Sequence, residues 1–408
     1  MSTVSYSETD WLLALAQHQP KLGELLAQSP DKQRRAGYFY TLREICQQPA
    51  TWVQTAELMR GWTAAVRACT KEIRSLILTG SGSSEYAGDC VRLPLQSELG
   101  VTVHAVGGGA ILAHGSKGLP PGRPALMVSL ARSGESPESG GALSQVLDTE
   151  PEIRHLVLTC NSTGGLATKF VGDPRVTVIT LNEATNDESL VMTSSFTNLV
   201  LGARFLGLCE SPTQYQAISE KASSIANHIL MEYFDSLARA AQAPFKRAVF
   251  LGSGARFAAA REAALKMLEM TAGRVTTLCE TFLGLRHGPM SYVHKDCLIV
   301  AFLSSDPQLR AYESDLLREL DRKGLGLLKV IVGENVPRDL VRKEDVAVEA
   351  EGMKDLGDDN SPVIDVLVGQ LLAFSRCLEE GLRPDSPSEN GIISRVVQSF
   401  ALHLPAAE

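Results

Sequence analysis

Apolar residues recur at three- and four-residue spacings over residues 11–26 and 42–66, with Pro20, Pro30 and Pro49 as punctuation. That period predicts helices, so residues 1–70 are expected to form a helical N-terminal arm. After residue 70 the pattern changes. Short β-branched or Leu-rich runs follow at 75–79, 101–106, 125–130, 155–159 and 176–180. Most lead into Gly, Ser or Asn and then into helix-compatible sequence. Continuous apolar strands alternating with helices predict a parallel sheet covered on both faces. Helical patterns at 199–208 and 215–241, ending at Pro244, lead to a second series of strands at 247–251, 275–278, 297–303, 328–332 and 345–350. A helix at 363–379 closes it.

The predicted fold class is therefore α/β, with two units of similar size, each a parallel sheet flanked by helices. Each unit opens with a strand and a Gly-Ser-Gly turn, Gly80-Ser81-Gly82 and Gly252-Ser253-Gly254. This repeat of architecture points to duplication. The expected divisions are the arm (1–70), a first domain (71–212), a helical linker (213–246), a second domain (247–380) and a C-terminal tail (381–408). Residues 107–109 and 118–124 read as loops.

Composition narrows the function classes. The chain has 408 residues, 44% hydrophobic and 21% charged, with a formal charge of −8. These are globular values, and the acidic balance argues against gripping nucleic acid or an anionic membrane. Its eight cysteines include no Cys-x-x-Cys, so a reducing cytoplasm is the expected home. The eight histidines form no pair at metal-ligand spacing, so neither a metal nor a cofactor is expected. The first ten residues lack the pattern of a signal peptide, and no apolar run approaches the roughly 20 residues that span a bilayer.

Candidate chemistry sits at strand ends. The run 75–79 enters Gly80-Ser81-Gly82-Ser83-Ser84, and the run 125–130 enters Ala131-Arg132-Ser133-Gly134-Glu135-Ser136. Both are hydroxyl-rich loops leading into helices, where open α/β sheets bind ligands. Free backbone N–H groups at a helix start, with Ser hydroxyls, bind an anion without Lys or Arg. Gly-Ser turns also serve simply as helix caps. The Gly-x4-Gly-Lys phosphate loop of nucleotide-binding proteins and a third in-register Gly of the dinucleotide type are both missing.

In the second unit, residues 255–271 are apolar nearly all round, and Glu262, Lys266 and Glu269 form one narrow stripe. The plain reading is a solvent-facing stripe with an i,i+4 ion pair. The sharper one is a cleft wall with a carboxylate beside a cation, an arrangement that tunes a general base. His287, before Gly288-Pro289, lies at a rigid turn; His155 and His294 read as structural or surface residues.

These stretches, taken in order, resemble the isomerase motifs of the SIS (sugar isomerase) superfamily: Gly80–Ser84, Ser133–Ser136, Ala264-Leu265-Lys266 through Glu269, and His287-Gly288-Pro289. Within it the chain is similar to the AgaS type of galactosamine-6-phosphate deaminase/isomerase. That likeness rests on Glu44-Ile45 with Gln47-Gln48-Pro49, Met192 to Thr197, Phe282 to Pro289, and Asn390 to Gln398. The resemblance implies two SIS domains and a sugar-phosphate substrate. It implies a phosphate held by Ser84, Ser133 and Ser136, with Ser83, Arg132 and Gly134 nearby. It also implies Glu269 as the base between C1 and C2, Lys266 as its neighbour, and His287 as the ring-opening group supplied by a second subunit. A homodimer or homotetramer with a shared active site follows. Thr193 and Ser194 are weaker substrate-binding candidates.

The chain departs from the related glucosamine-6-phosphate synthase pattern at Ala131, where a Ser is usual, and at Gly284, where a Glu is usual. No glutaminase segment precedes the first loop and residue 2 is Ser, so breakdown of an amino sugar is expected rather than its synthesis. Plain aldose–ketose isomerisation and phosphosugar sensing are the alternatives.

Overall fold

The computed structural model describes residues 15–396 and 400–403; the beginning of the helix expected at 11–26 and the end of the motif at 390–398 lie outside them. The arm comprises α1 (Pro20–Ala27), α2 (Pro30–Ala36), α3 (Phe39–Cys46), α4 (Gln48–Gly61) and α5 (Thr63–Thr70). The first sheet and its helices follow as β1 (Ser75–Gly80), α6 (Ser83–Leu99), β2 (Thr102–Gly107), α7 (Gly108–His114), β3 (Ala125–Ala131), α8 (Pro137–Thr149), β4 (Ile153–Thr159), α9 (Gly165–Thr168) and β5 (Val176–Thr180). Helices α10 (Ser194–Leu208) and α11 (Pro212–Ala241) lead to the second series. That series is β6 (Arg247–Gly252), α12 (Ala255–Met270), β7 (Thr276–Thr281), α13 (Phe282–Leu285), β8 (Cys297–Phe302), α14 (Pro307–Arg322), β9 (Leu328–Gly333), β10 (Val346–Glu349), α15 (Met353–Leu356) and α16 (Pro362–Glu379). The α/β fold class and every expected strand are found. Residues 107–109, read as a loop, instead lead into α7, whose Ile111 is buried beneath the sheet.

Both sheets are wholly parallel, with strand orders β2-β1-β3-β4-β5 and β10-β9-β8-β6-β7. Renumbered from its own start, the second order is the first. β1, β3, β8 and β9 are buried at every residue, whereas β2, β5, β7 and β10 at the sheet margins are partly exposed. The uninterrupted apolar runs are therefore the interior strands. Chain direction across the sheet reverses between β1 and β3, and again between β6 and β8, which is where such sheets open a ligand crevice.

The two sheets share one core. Leu76 and Leu78 of β1 belong to the same buried cluster as Phe250 of β6 and Val300 of β8, joined through α6, α10, α11, α12 and α16. Helix α12 lies along α16 and against α6, while α11 packs on α4 and α16. The opposite faces pack separately, Ile77 and Met127 under α8 and Ile299 under α14.

Two features set the position of α12. Arg256 and Asp365 form a fully buried pair, with guanidinium–carboxylate distances of 2.8 and 2.7 Å, tying the start of α12 to α16. Farther along, a Cβ on Gly369 of α16 would stand 2.5 Å from the Cβ of Ala263, so glycine is what lets the helices approach. Gly369→Val should push α12 from α16 and destabilise the protein by about 1–3 kcal/mol. Urea denaturation measures this; an unchanged midpoint would contradict the packing argument.

Candidate functional site

The duplicated turns have nearly the same backbone. Gly82 has φ 59° and ψ −127°, and Gly254 has φ 57° and ψ −130°. This positive-φ geometry suits glycine and starts α6 and α12 without a side-chain cap; the Ser84 and Glu85 N–H groups, like those of Arg256 and Phe257, donate to the carbonyls of their own turn. The two halves fill the space above these turns differently.

In the second half the chain's own carboxylates occupy it. Ser253 donates to Glu313 Oε1 at 2.7 Å, and the Ser304 N–H donates to Glu313 Oε2 at 2.7 Å. The Ser305 N–H donates to Asp358 Oδ1 at 2.9 Å, and the Ser304 hydroxyl to Asp358 Oδ2. The loops after β6 and β8 thus cradle two carboxylates of the chain itself, with the Ser305 hydroxyl left without a partner among the described residues.

In the first half no carboxylate takes that place. The buried hydroxyls of Thr79, Ser81, Ser129 and Ser136 have no hydrogen-bond partner among the described residues. Ser84 reaches only the Met192 thioether, at 3.8 Å. Thr79 and Ser129 are register partners on β1 and β3, and with Gly80, Gly108 and Ser139 they line a small void at the sheet's reversal point. Unpaired buried hydroxyls are costly, by about 1–3 kcal/mol each, and this void has no room for a water to complete them. Gly134 turns the second loop at φ 66°, and Ser133 Oγ accepts the Glu135 N–H.

The stripe on α12 does not face solvent, which corrects the plain reading. Glu262 and Lys266 are completely buried against α6. An Ala-rich helix that is apolar all round has no face to give to water, and the stripe meets the polar start of α6 instead. Lys266 Nζ donates to Ser83 Oγ at 3.0 Å and to Glu269 Oε2 at 2.5 Å, and lies 3.2 Å from Glu262 Oε1. Burial pushes Glu262 up to about 7, with Lys266 opposing and Glu269 reinforcing. Burial alone would lower the Lys266 ammonium, but Glu262 and Glu269 more than reverse it and raise its pKa. Glu269 is one-third exposed, the member of the three that meets solvent and anything bound there. Glu262, read from the sequence only as an ion-pair partner, is thus a buried member of this group; the all-round apolar character of α12 was the signal for it.

Other residues singled out from the sequence sit elsewhere. Arg132 Nη1 donates to the Ser189 and Leu190 carbonyls at 3.1 and 3.0 Å, and its Nη2 to the Arg395 carbonyl at 2.6 Å, so its terminal nitrogens already hold protein groups. Thr193 and Ser194 are completely buried: the Thr193 N–H donates to Asp187, its carbonyl accepts Gln370 Nε2 at 3.1 Å, and Asn198 holds Ser194. They pack the arm to α16 rather than line an opening. Gln48 joins them, bonded to Gln370 and Thr197 at 2.7 Å each. His287 is exposed after α13, with no side-chain partner among the described residues. His155 is fully buried on β4, both ring nitrogens without a partner among the described residues, and burial lowers it to about 4.

No family model matches the chain. It is 33% identical over 384 residues to the D-galactosamine-6-phosphate deaminase AgaS of Shewanella sp. strain ANA-3, covering 92% of this chain and 94% of that one. It is 34% identical to an AgaS protein of Streptomyces coelicolor, over 89% of this chain and 95% of the other. A crystal structure from Clostridium novyi, described as a candidate tagatose-6-phosphate ketose/aldose isomerase, superposes with a TM-score of 0.86 at 30% identity, covering 94% and 98% of the two chains.

Lys266→Met tests the buried group. Loss of one partner from a buried ion pair costs about 3–5 kcal/mol. Glu262 has a folded pKa above its unfolded value, so its contribution to stability is complete at low pH and is lost as pH rises through about 7. Without Lys266 that loss deepens. The urea stability deficit of the variant should therefore be larger at pH 8 than at pH 5; an equal deficit at both would contradict the coupling.

Proposed function

The chain belongs to the AgaS family, and on that premise we propose that it is an enzyme converting galactosamine 6-phosphate to tagatose 6-phosphate and ammonia. The observation that carries the reading is the asymmetry of the two cradles. The second holds Glu313 and Asp358, while in the first the Thr79, Ser81, Ser129 and Ser136 hydroxyls have no partner among the described residues and Lys266, with Glu269, reaches Ser83. A phosphate takes the place that the carboxylates take in the other half, held by Ser84, Ser133, Ser136 and the loop N–H groups.

The chemistry follows from the groups that border it. With the sugar ring open, Glu269 removes the C2 proton, giving an enolamine with a C1–C2 double bond. Lys266, fixed by Glu262 and Ser83, stabilises the negative charge that develops during this transfer. The proton returns at C1, leaving an imine at C2. Water adds there and ammonia leaves, producing the ketose. His287 assists ring opening from a second copy of the chain; its exposure and lack of partners suit a residue lent to a neighbour, and the active assembly is a homo-oligomer. Among the described residues no helix is long and apolar enough to cross a membrane, and all eight cysteines are free thiols, which suits a reducing cytoplasm.

The division into an arm, two SIS domains, a connecting helix and a tail is likewise proposed. The alternative of simple isomerisation begins with the same proton transfer and differs in releasing no nitrogen.

Ammonia release from galactosamine 6-phosphate, with glucosamine 6-phosphate in parallel, tests the proposal. Glu269→Gln should lower kcat by about 10²–10⁴ with little change in KM. Ser84→Ala with Ser133→Ala should raise KM instead. Full turnover in Glu269→Gln would remove the proposed base, and no ammonia from either sugar would overturn the deaminase reading.

A further inference from the structure

We propose that Glu44 and Asp187 are positioning residues for the phosphate loop, acting through Arg132 to hold residues 131–136 in their binding geometry. This deepens the proposed function and rests on it for the role of that loop.

The argument begins with two buried carboxyl groups from different parts of the chain. Glu44 lies on α3; its Oε1 accepts the N–H groups of Glu188 and Ser189 at 2.6 and 3.1 Å, and its Oε2 accepts the Ser189 hydroxyl. Thr193 Oγ1 stands 3.5 Å from the same Oε2. Asp187 Oδ2 accepts the N–H groups of Thr193 and Ser195 at 2.7 and 2.8 Å and the Ser195 hydroxyl at 2.5 Å. Its Oδ1 is buried without a partner among the described residues. The segment from 187 to 195 is therefore wound around the two carboxyl groups.

That segment presents its Ser189 and Leu190 carbonyls to Arg132, which lies between Ala131 and Ser133 inside the phosphate loop. Arg395 completes the knot. Its Nε donates to the Asp187 carbonyl at 2.6 Å, its Nη2 to Asn186 Oδ1 at 2.8 Å, and its own carbonyl accepts Arg132. Four separated parts of the chain thus meet at one loop: α3, the 186–195 segment, the end of β3 and the tail.

The charges facing this knot are few. Arg132 and Arg395 lie beside Asp187, with the Cys160 thiol at the end of β4. Asp385 caps the start of α3 through the Tyr40 and Thr41 N–H groups, and Arg43 on the same helix lies over the Phe39 ring. Burial, then the neighbouring Asp187, pushes Glu44 up to about 8; burial also raises Asp187. Two carboxyl groups this close do not both ionise readily, so near neutral pH one proton stays with the pair. Glu44, with its folded pKa raised, supports the fold at low pH and loses that support as pH rises through about 8. The doubly charged pair then competes with the Ser189 and Leu190 carbonyls for Arg132, and the loop shifts.

The test is the affinity of the full-length protein for inorganic phosphate, measured by titration calorimetry from pH 7 to 9.5 in wild type, Glu44→Gln and Glu44→Ala. The amide of Glu44→Gln keeps an acceptor for the Glu188 and Ser189 N–H groups and does not ionise. Wild type should lose affinity by roughly tenfold more than Glu44→Gln over this range, a moderate coupling between sites. Comparing the two removes the titration of phosphate itself. Glu44→Ala should bind weakly throughout. Parallel profiles for wild type and Glu44→Gln would overturn the proposal, as would wild-type affinity in Glu44→Ala or no phosphate binding by wild type. Should Glu44→Ala fail to fold, the first pair still decides. Ammonia release is not read, so failure of the deaminase reading leaves this result standing.

Discussion

The buried ammonium of Lys266 is the interaction on which the rest depends. It sits on α12 of the second half and reaches Ser83 at the start of α6 in the first, between Glu262 and Glu269. A lysine with no exposure survives only where opposite charge and hydrogen bonds replace its hydration. Sliding one half against the other would strip it of Ser83, its partner across the halves, and leave the ammonium to Glu262 and Glu269 on its own helix. The shared core makes the same demand, because α12 is pressed to α16 at Gly369 and anchored by Arg256 and Asp365. Packing and electrostatics thus set Lys266 and Glu269 beside the hydroxyl-rich turn at Ser83, the arrangement on which the proposed proton transfer rests.

The two halves repeat one architecture, and they differ in what occupies the turns at their strand ends. The strand orders are the same, and the glycine turns agree within a few degrees. In the second half Glu313 and Asp358 take the Ser253 and Ser304 hydroxyls and the Ser304 and Ser305 N–H groups, and the Ser305 hydroxyl has no partner among the described residues. That the second cradle holds carboxylates supports the proposal that the first takes a group with several negative oxygens.

The strands were legible because interior parallel strands are apolar throughout, a pattern that surface helices do not produce. The loops at Gly80–Ser84 and Ala131–Ser136 followed from their place at strand ends. The orientation of the α12 stripe did not follow, since spacing puts Glu262, Lys266 and Glu269 on one line without saying what faces it. The role of Arg132 was hidden for a different reason. Its partners, Ser189, Leu190 and Arg395, lie 57, 58 and 263 residues away, and no local pattern announces such contacts. Thr193 and Ser194 likewise look like a binding loop in sequence, yet they are enclosed by Gln370, Asn198 and Asp187.

The central claim is that a proton leaves C2 of the sugar before nitrogen does. The most direct measurement uses galactosamine 6-phosphate deuterated at C2, with the ketose product examined by nuclear magnetic resonance alongside ammonia release. The account predicts that every turnover removes deuterium from C2, leaving it at C1 or lost to solvent in step with the ammonia. Ammonia released with deuterium still at C2 would contradict it.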